Sequence, residues 1–448
     1  MRIRRRARDR FGRGSPSKTV FLTEAFMRLP IQLLVVPLVL GYQGPAAMTA
    51  QAQNSNPTIA ATAEGIPVSV RWNRLAPKFA DEAAASRRAA RKAAAGDSAA
   101  LRRIAMEQPP MPFRTYTLLS AAQYAAVNSA REKRDVSSEA AVASASAAVF
   151  MQLYSDSTVR ASIARELARD LEQARTGSRG AARAALGRTL GEDVTRRVIA
   201  WAPSVNLVAP WKGTIPTGPG MWYSAPGVPP IGVTMATAQT WVIDSASQFR
   251  PAAPPSFDSP VFKAALEEVR KVARERTPEQ TKIAQKWDSA DPWTMWNQTA
   301  SDAIRRNRMS EAEAVRVLAV VNIGAMDAVV ACFEAKYHYW TIRPSQVDTT
   351  LVLADSVGLP NFPSFPSGHA CSAGAFDAVL QHFFPKERAE IKRLAEEQAM
   401  SRLYGGIHYR YDNDGGLELG RTVARYVVAQ EKRGALNAWR SAGVVRKP

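Results

Sequence analysis

Three short segments in the last third of the chain carry residue types that can grip an oxyanion and move protons at it. The first is Lys336-Tyr-His-Tyr-Trp-Thr-Ile-Arg343-Pro344. An ammonium supplies a compact point charge and a guanidinium a planar fork of donors, a combination suited to phosphate-like ions. Lys336 is read as the end of a long helix, and Pro344 disfavours helical backbone at Arg343. The second segment is Phe365-Pro366-Ser367-Gly368-His369, followed by an apolar helical run to Phe384. Ser367 reads as an N-cap. Its hydroxyl and the following N–H groups then point out of a helix start, where an anion is favoured. His369, in the first turn, is placed to give or take a proton there. The third is Ser401-Arg402-Leu-Tyr-Gly405-Gly406-Ile-His408-Tyr-Arg-Tyr-Asp412. Gly405-Gly406 breaks the helix carrying Arg402 and lets Arg402 and His408 face one point. Asp412 lies one helical turn after His408 if the segment is helical. It can then accept the far ring N–H and hold the tautomer.

Taken singly, each segment has a plainer reading. Basic residues at a helix C-terminus balance its dipole, a capped helix can carry a surface histidine, and a loop histidine can simply be satisfied in a core. Together they are more specific, because two of the four histidines, two arginines, a lysine and a helix start converge between residues 336 and 412. Of the other two histidines, His338 is read as lining the pocket and His382 as a cap or an exposed residue near a helix end.

The pattern Lys-x6-Arg-Pro, Pro-Ser-Gly-His and Ser-Arg-x5-His-x3-Asp resembles the type 2 phosphatidic acid phosphatase and vanadium haloperoxidase superfamily. Within it, the chain is most similar to the soluble vanadium-dependent haloperoxidases, and the similarity extends upstream through Trp72-Asn73 and the Ala-rich helices. The resemblance implies an all-α fold of two helical bundles, with the active site in the C-terminal one. It implies that Lys336, Arg343 and Arg402, with Ser367 and the Gly368 N–H, hold the oxygens of the anion. His408 becomes the apical ligand of vanadium, or the nucleophile that takes a phosphoryl group. His369 becomes the acid–base group opposite, and Asp412 orients His408. Trp340, Phe362 and Phe365 are the aromatic candidates for the pocket rim. Phe362 stands five residues before Ser367, where the haloperoxidases place a halide-pocket residue.

Two chemistries follow from the resemblance. One oxidises halide with hydrogen peroxide and uses vanadate as cofactor. The other hydrolyses a phosphomonoester through a phosphohistidine and needs no cofactor. Both suit one ligand shell, because phosphoryl transfer passes through the trigonal bipyramid that vanadate adopts at rest, and positive charge aimed at the oxygens favours both. A non-catalytic periplasmic oxyanion binder is a third reading. It leaves the pairing of His369 with His408 unexplained, since a binder has no need of two titrating groups.

The elements that must position these residues read as helix after helix. Helical periodicity covers Thr117–Ala130, Glu139–Tyr154, Ser157–Thr176 and Arg179–Val198. Residues 203–258 are rich in Pro, Gly and Trp and read as a wrapping segment. Helices resume with Pro260 at the first position behind a Ser259 cap. They continue through Pro278–Trp287 and Trp293–Arg306. Ser310-Glu-Ala-Glu313 is a capping box opening a long apolar helix. No period-2 run of useful length appears. Residues 53–258 are therefore read as an N-terminal helical region and 259–448 as a C-terminal catalytic bundle. Asp327, in the long helix, needs a buried partner, either an active-site arginine or another helix start.

Residues 1–52 read as a signal peptide. A basic stretch from Arg2 to Arg13 precedes an apolar run from Leu29 to Tyr42 and a small-x-small motif, Ala50-Gln-Ala52, with either Met1 or Met27 as the start. An uncleaved anchor is the alternative. After its removal no further membrane span is expected, and the protein is read as exported, periplasmic or extracellular. The 448 residues carry a formal charge of +19, with 46% apolar residues. No zinc-finger, homeodomain or RNA-recognition signature accompanies the charge, so nucleic acid is not an expected partner. Cys332 and Cys371 flank the motifs. Export permits a disulfide, but buried free thiols are the reading preferred here. The sequence leaves the oligomeric state open.

Overall fold

A computed structural model describes residues 65–437 apart from 107, 108, 204, 206, 208 and 290. The readings for residues 1–52 lie outside the described residues. The helices are α1 (Val68–Ala93), α2 (Ser98–Met106), α3 (Pro112–Arg131), α4 (Ser138–Leu153), α5 (Ser157–Gln173), α6 (Gly180–Trp201), α7 (Pro260–Glu275), α8 (Pro278–Ser289), α9 (Pro292–Arg306), α10 (Glu311–Tyr339), α11 (Pro344–Val347), α12 (Gly368–Phe383), α13 (Arg388–Tyr404) and α14 (Arg410–Glu431). Among the described residues the only extended pairing is an isolated antiparallel bridge between Met221 and Thr341. The fold is all-α.

Local chemistry starts these helices where the sequence signals it. The Ser310 hydroxyl and the Glu313 carboxylate satisfy each other's backbone N–H groups at the head of α10. Ser259 accepts from the Phe262 N–H, with Pro260 at the first position of α7. Asp156 caps α5 and Asp291 caps α9 in the same way.

Helix α10 is the axis of the fold, packed against α3, α12 and α14. It is buried almost continuously from Ala314 to Tyr337, so its sequence is apolar on all sides rather than striped. It is long and apolar enough to cross a membrane, yet 89% of its most apolar window is buried inside the protein. Its polar residues have defined partners. Asn322 joins a buried amide ladder with Asn297 of α9, which in turn accepts from Asn73 of α1, each bond 2.9 Å long. The Trp72-Asn73 opening thus ties the first helix to the axis.

Asp327 binds neither an arginine nor a helix start. Its carboxylate accepts the backbone N–H groups of Trp241, Val242 and Ile243, at 2.7, 2.7 and 3.1 Å. Burial pushes this carboxyl up to about 6, and the three donated N–H groups oppose that shift. Asp327 therefore anchors the strap, whose described residues between 203 and 258 are irregular as read, apart from a 3-10 turn at Val233–Thr237. The strap also receives the end of α10: the Trp222 N–H donates to Trp340 O, and the Ile342 N–H to Gly220 O.

The boundary that bears on the site, the end of α10, differs from the sequence reading. Helix α10 runs past Lys336 to Tyr339 and stops at Trp340, which adopts a left-handed conformation with φ 50°. Pro344 restrains only Arg343 before it, so it does not reach back to Lys336. The left-handed cap turns the chain, and Arg343 comes back toward the side of α10 that carries Lys336.

Helices α12 and α14 approach closely because small residues face each other. A Cβ on Gly420 would sit 2.0 Å from Cys371 O, and one on Gly374 would sit 2.2 Å from Leu417 O. Both obstacles are backbone and cannot swing aside. Gly420→Ala gains up to about 1 kcal/mol of helix propensity. It also forces the helices apart, which costs about 1–3 kcal/mol or more. The clash is so severe that a net loss of stability is expected, read as an earlier midpoint in urea unfolding. An unchanged midpoint would show that the interface does not depend on this approach.

Candidate active site

The three segments meet where the end of α10, the start of α12 and the turn between α13 and α14 converge. Lys336, Arg402, Ser367 and Asp412 are fully buried, Arg343 is 1% exposed and His408 is 2% exposed. Gly368 and His369 are half-buried and form the more open side.

Backbone carbonyls and one carboxylate hold the cations in place. Lys336 Nζ donates to Pro363 O and Ser364 O, at 2.9 and 2.8 Å. Arg343 Nε donates to Phe362 O and Nη1 to Ile407 O. Arg402 donates through Nη1 and Nη2 to Asp288 Oδ1, at 3.3 and 3.1 Å. Burial lowers the Lys336 ammonium to about 8, and the Arg343 charge adds to the effect. Burial likewise lowers Arg343 and Arg402 to about 10 each. Two buried donors, Arg343 Nη2 and Arg402 Nε, have no partner among the described residues. A buried N–H without an acceptor is costly. An oxyanion seated between the two arginines supplies the missing acceptors, so these residues fit a vanadate or phosphate ion.

The histidines face this cluster as neutral rings. His408 Nδ1 lies 2.8 Å from Asp412 Oδ2, which also accepts from the Ser364 hydroxyl at 2.6 Å and the Tyr409 N–H at 3.1 Å. The carboxylate takes the Nδ1 proton by hydrogen bond, so the Nε2 lone pair is the free end of the ring. Nε2 lies 3.4 Å from Arg343 Nη1. Burial, then the charges of Arg343, Lys336 and Arg402, holds His408 well below its ordinary range. Burial also raises Asp412 to about 6, against the Ser364 hydrogen bond and the Lys336 charge. His408 precedes α14 rather than lying in it; Asp412 is in the first turn of that helix and reaches back. On the other side, His369 Nε2 lies 3.1 Å from Trp287 O and 3.0 Å from Arg402 Nη1. Nε2 can donate to the carbonyl or accept from the Arg402 N–H, and it cannot do both at once, so the tautomer of His369 decides which bond forms. Burial and the Arg402 charge depress His369 strongly.

Ser367 caps α12, accepting from the Ala370 N–H at a long 3.5 Å. Its hydroxyl is therefore only weakly engaged. Its own N–H donates to Asp412 O at 2.9 Å, which fastens the second segment to the third. The N–H groups of Gly368 and His369 head the helix, where no intrahelical acceptor exists.

The aromatic candidates separate. Phe362 lies under the cations, its ring centre 4.9 Å from Lys336 Nζ and 5.1 Å from Arg343 Cζ. Trp340 packs against Trp211, Trp222 and Tyr337, and Phe365 packs between Tyr339 and Tyr411. Those two rings brace the strap and α14 rather than meeting the cations. His338 is exposed at the end of α10 and does not line the pocket. His382 is exposed near the end of α12, one of its two readings.

Sequence reasoning missed Asp288, Ser364 and the Trp287 carbonyl. Asp288 and Trp287 end α8, some 80 residues upstream of His369, and carry no spacing signal. Ser364 lies between Pro363 and Phe365, one residue before the second segment, and only its neighbours draw notice.

The PAP2 superfamily model matches residues 315–434, which contain every site residue the sequence singled out. The chain carries a PAP2 superfamily domain. Asp288 and Trp287 come from outside that domain. In sequence, 116 residues are 32% identical to the vanadium-dependent bromoperoxidase of Ascophyllum nodosum, covering 19% of this chain and 21% of that protein. A stretch of 59 residues is 41% identical to lipid A 1-phosphatase of Rhizobium etli, covering 13% of this chain and 25% of that protein. The matches thus span a fifth to a quarter of these relatives' own length. In structure, the chain resembles a bacterial vanadium-dependent iodoperoxidase (TM-score 0.60, 23% identity, 72% of this chain and 92% of the other). It also resembles a bacterial vanadium-dependent chloroperoxidase (TM-score 0.57, 10% identity, 72% and 94%). The PAP2 domain and the helices upstream of it together reproduce that fold.

Asp412→Asn keeps the shape at this position but removes the charge that holds the His408 tautomer. It is expected to weaken inorganic vanadate binding by about 10–100-fold, read by isothermal titration calorimetry. Wild-type affinity in this variant would remove Asp412 from the site.

Proposed function

We propose that this protein is a vanadate-dependent haloperoxidase-like enzyme that oxidises halide with hydrogen peroxide. The observation carrying this reading is the pair of unpartnered buried donors, Arg343 Nη2 and Arg402 Nε, across from a neutral His408 whose Nδ1 is held by Asp412. Lys336, Arg343, Arg402, Ser367 and the Gly368 N–H would hold the oxygens of vanadate, and His408 Nε2 would ligate the vanadium. When bound, vanadate would supply a Lewis-acidic centre that activates peroxide toward two-electron oxidation. The chain's own part is to neutralise the anion's charge, keep His408 unprotonated, and hold a proton acceptor, His369, on the open side. Phe362 beneath Lys336 and Arg343 makes the wall apolar, which favours a weakly hydrated halide over a strongly hydrated phosphomonoester. The fold likeness to haloperoxidases over most of the chain is consistent with this choice.

A second reading is an exported phosphatase, favoured by the 41% identity of one short stretch to lipid A 1-phosphatase. There, His408 Nε2 would attack phosphorus, the leaving alkoxide oxygen would take a proton from His369, which the bound anion's negative charge would help to protonate, and water would cleave the phosphohistidine. The same cations would stabilise the equatorial oxygens in both cases. We also propose export as its route, on the basis of the basic and apolar stretches before residue 52.

The two readings are separated by a paired assay. Protein incubated with vanadate, peroxide and bromide is expected to brominate a phenolic dye, and His408→Ala to fall to the background rate. Hydrolysis of a nitrophenyl phosphate without bromination, inhibited by vanadate, would move the assignment to the phosphatase. A protein inactive in both assays, while binding vanadate, would be an oxyanion binder.

A further inference from the structure

Cys332 and Cys371 form a buried thiol pair that neither proposed reaction uses. Both are free and fully buried. They lie on the packed α10–α12 pair, close enough that each thiol influences the other. Cys332 sits one helical turn before Lys336 on α10, and Cys371 one turn after Ser367 on α12. The Cys332 thiol also donates to Pro366 O at 3.7 Å, and the Cys371 N–H donates to Ser367 O. The pair therefore lies directly behind the loop of residues 363–367. That loop supplies the carbonyls for Lys336 and the cap of α12.

We infer that this pair is an oxidative modification site, which hydrogen peroxide converts to a Cys332–Cys371 disulfide that weakens the hold on the oxyanion. Cys332, beside the Lys336 ammonium, is the attacking sulfur. Its thiolate displaces hydroxide from peroxide, forming an S–O bond as the O–O bond breaks, and the hydroxide leaves as water with the thiol proton. The sulfur is oxidised to a sulfenic acid and the peroxide is reduced. Cys371 then attacks that sulfur. The S–S bond forms, the S–O bond breaks, and the second oxygen leaves as water with the Cys371 proton. The sum is two thiols and one peroxide to one disulfide and two waters. Burial restricts the oxidant to a small molecule, so bulky alkylating reagents are excluded from the native fold.

The consequence for the site follows from geometry. A disulfide brings the sulfurs to about 2.05 Å, closer than two thiols in contact, and removes the hydrogen that Cys332 donates to Pro366 O. Both changes act on the loop that positions Ser367 and receives Lys336. This inference concerns the anion-holding role of the site and does not depend on which reaction the site performs.

The test uses the full chain. It is treated with peroxide, quenched in denaturant with an alkylating reagent, and its free thiols are counted by intact mass. The expected result is loss of both thiols, reversed by dithiothreitol, with no loss in Cys371→Ser beyond a sulfenic acid trapped on Cys332. Retention of both alkylatable thiols after peroxide overturns the inference, and this count stands whether or not the protein binds anions. In wild-type protein, vanadate affinity measured before oxidation, after it and after reduction is expected to fall and recover by about two- to tenfold, the size of one lost hydrogen bond. A disulfide that forms without changing that affinity overturns the coupling. Absence of vanadate binding in the reduced protein overturns the coupling too, and with it the anion-site reading, while the thiol count still decides the modification.

Discussion

Three cations held out of water govern this structure. Lys336, Arg343 and Arg402 are each at most 1% exposed, and removing such a charge from solvent costs on the order of several kcal/mol even after relaxation. Helical proteins ordinarily keep these side chains at the surface. Among the described residues, the carboxylates bonded at the cluster are Asp288, on Arg402, and Asp412, on the histidine beside Arg343. The balance is positive, and burial lowers all three cations from their ordinary values. An anion that enters the cluster relieves the strain that the fold imposes on it.

Much of the architecture can be understood as support for that arrangement. The segment from Phe362 to Ser364 turns three carbonyls toward Lys336 and Arg343. The close approach of α12 and α14 brings the Ser367 cap and the Asp412 turn into direct hydrogen-bonding contact. The strap, anchored by Asp327, braces the chain between α10 and Arg343 through backbone bonds at Gly220 and Trp222. None of these features performs chemistry. Each reduces the freedom of a charged side chain that would otherwise swing toward water.

This arrangement explains how one superfamily accommodates both peroxidase and phosphatase relatives. A rigid basic shell with a neutral, correctly protonated histidine serves any trigonal arrangement of oxygens. The histidines stay neutral because the same burial and positive field that create the anion site also disfavour a fourth and fifth positive charge. Selection between reactions then rests on what surrounds the shell, with Phe362 on the wall and His369 on the open side.

Much of this was legible in the sequence. The capping residues Ser259, Ser310 and Ser367 mark helix starts because their hydroxyls satisfy backbone groups a few residues away, a local effect. The spacing from His408 to Asp412 and the glycine pair before it likewise encode a local turn. The all-α class and the convergence of three motifs follow from such short-range rules together with a recognisable pattern. Tertiary structure alone decided the rest, because it turns on contacts between segments distant in the chain. Asp288 reaches Arg402 across more than a hundred residues. Asp327 spends its charge on the strap and not on an arginine. Trp340 and Phe365 turn to neighbouring rings while Phe362 stays with the cations. Periodicity tells which face of a helix is buried; it does not tell which partner a buried charge will find, because that partner is set by how the whole chain packs.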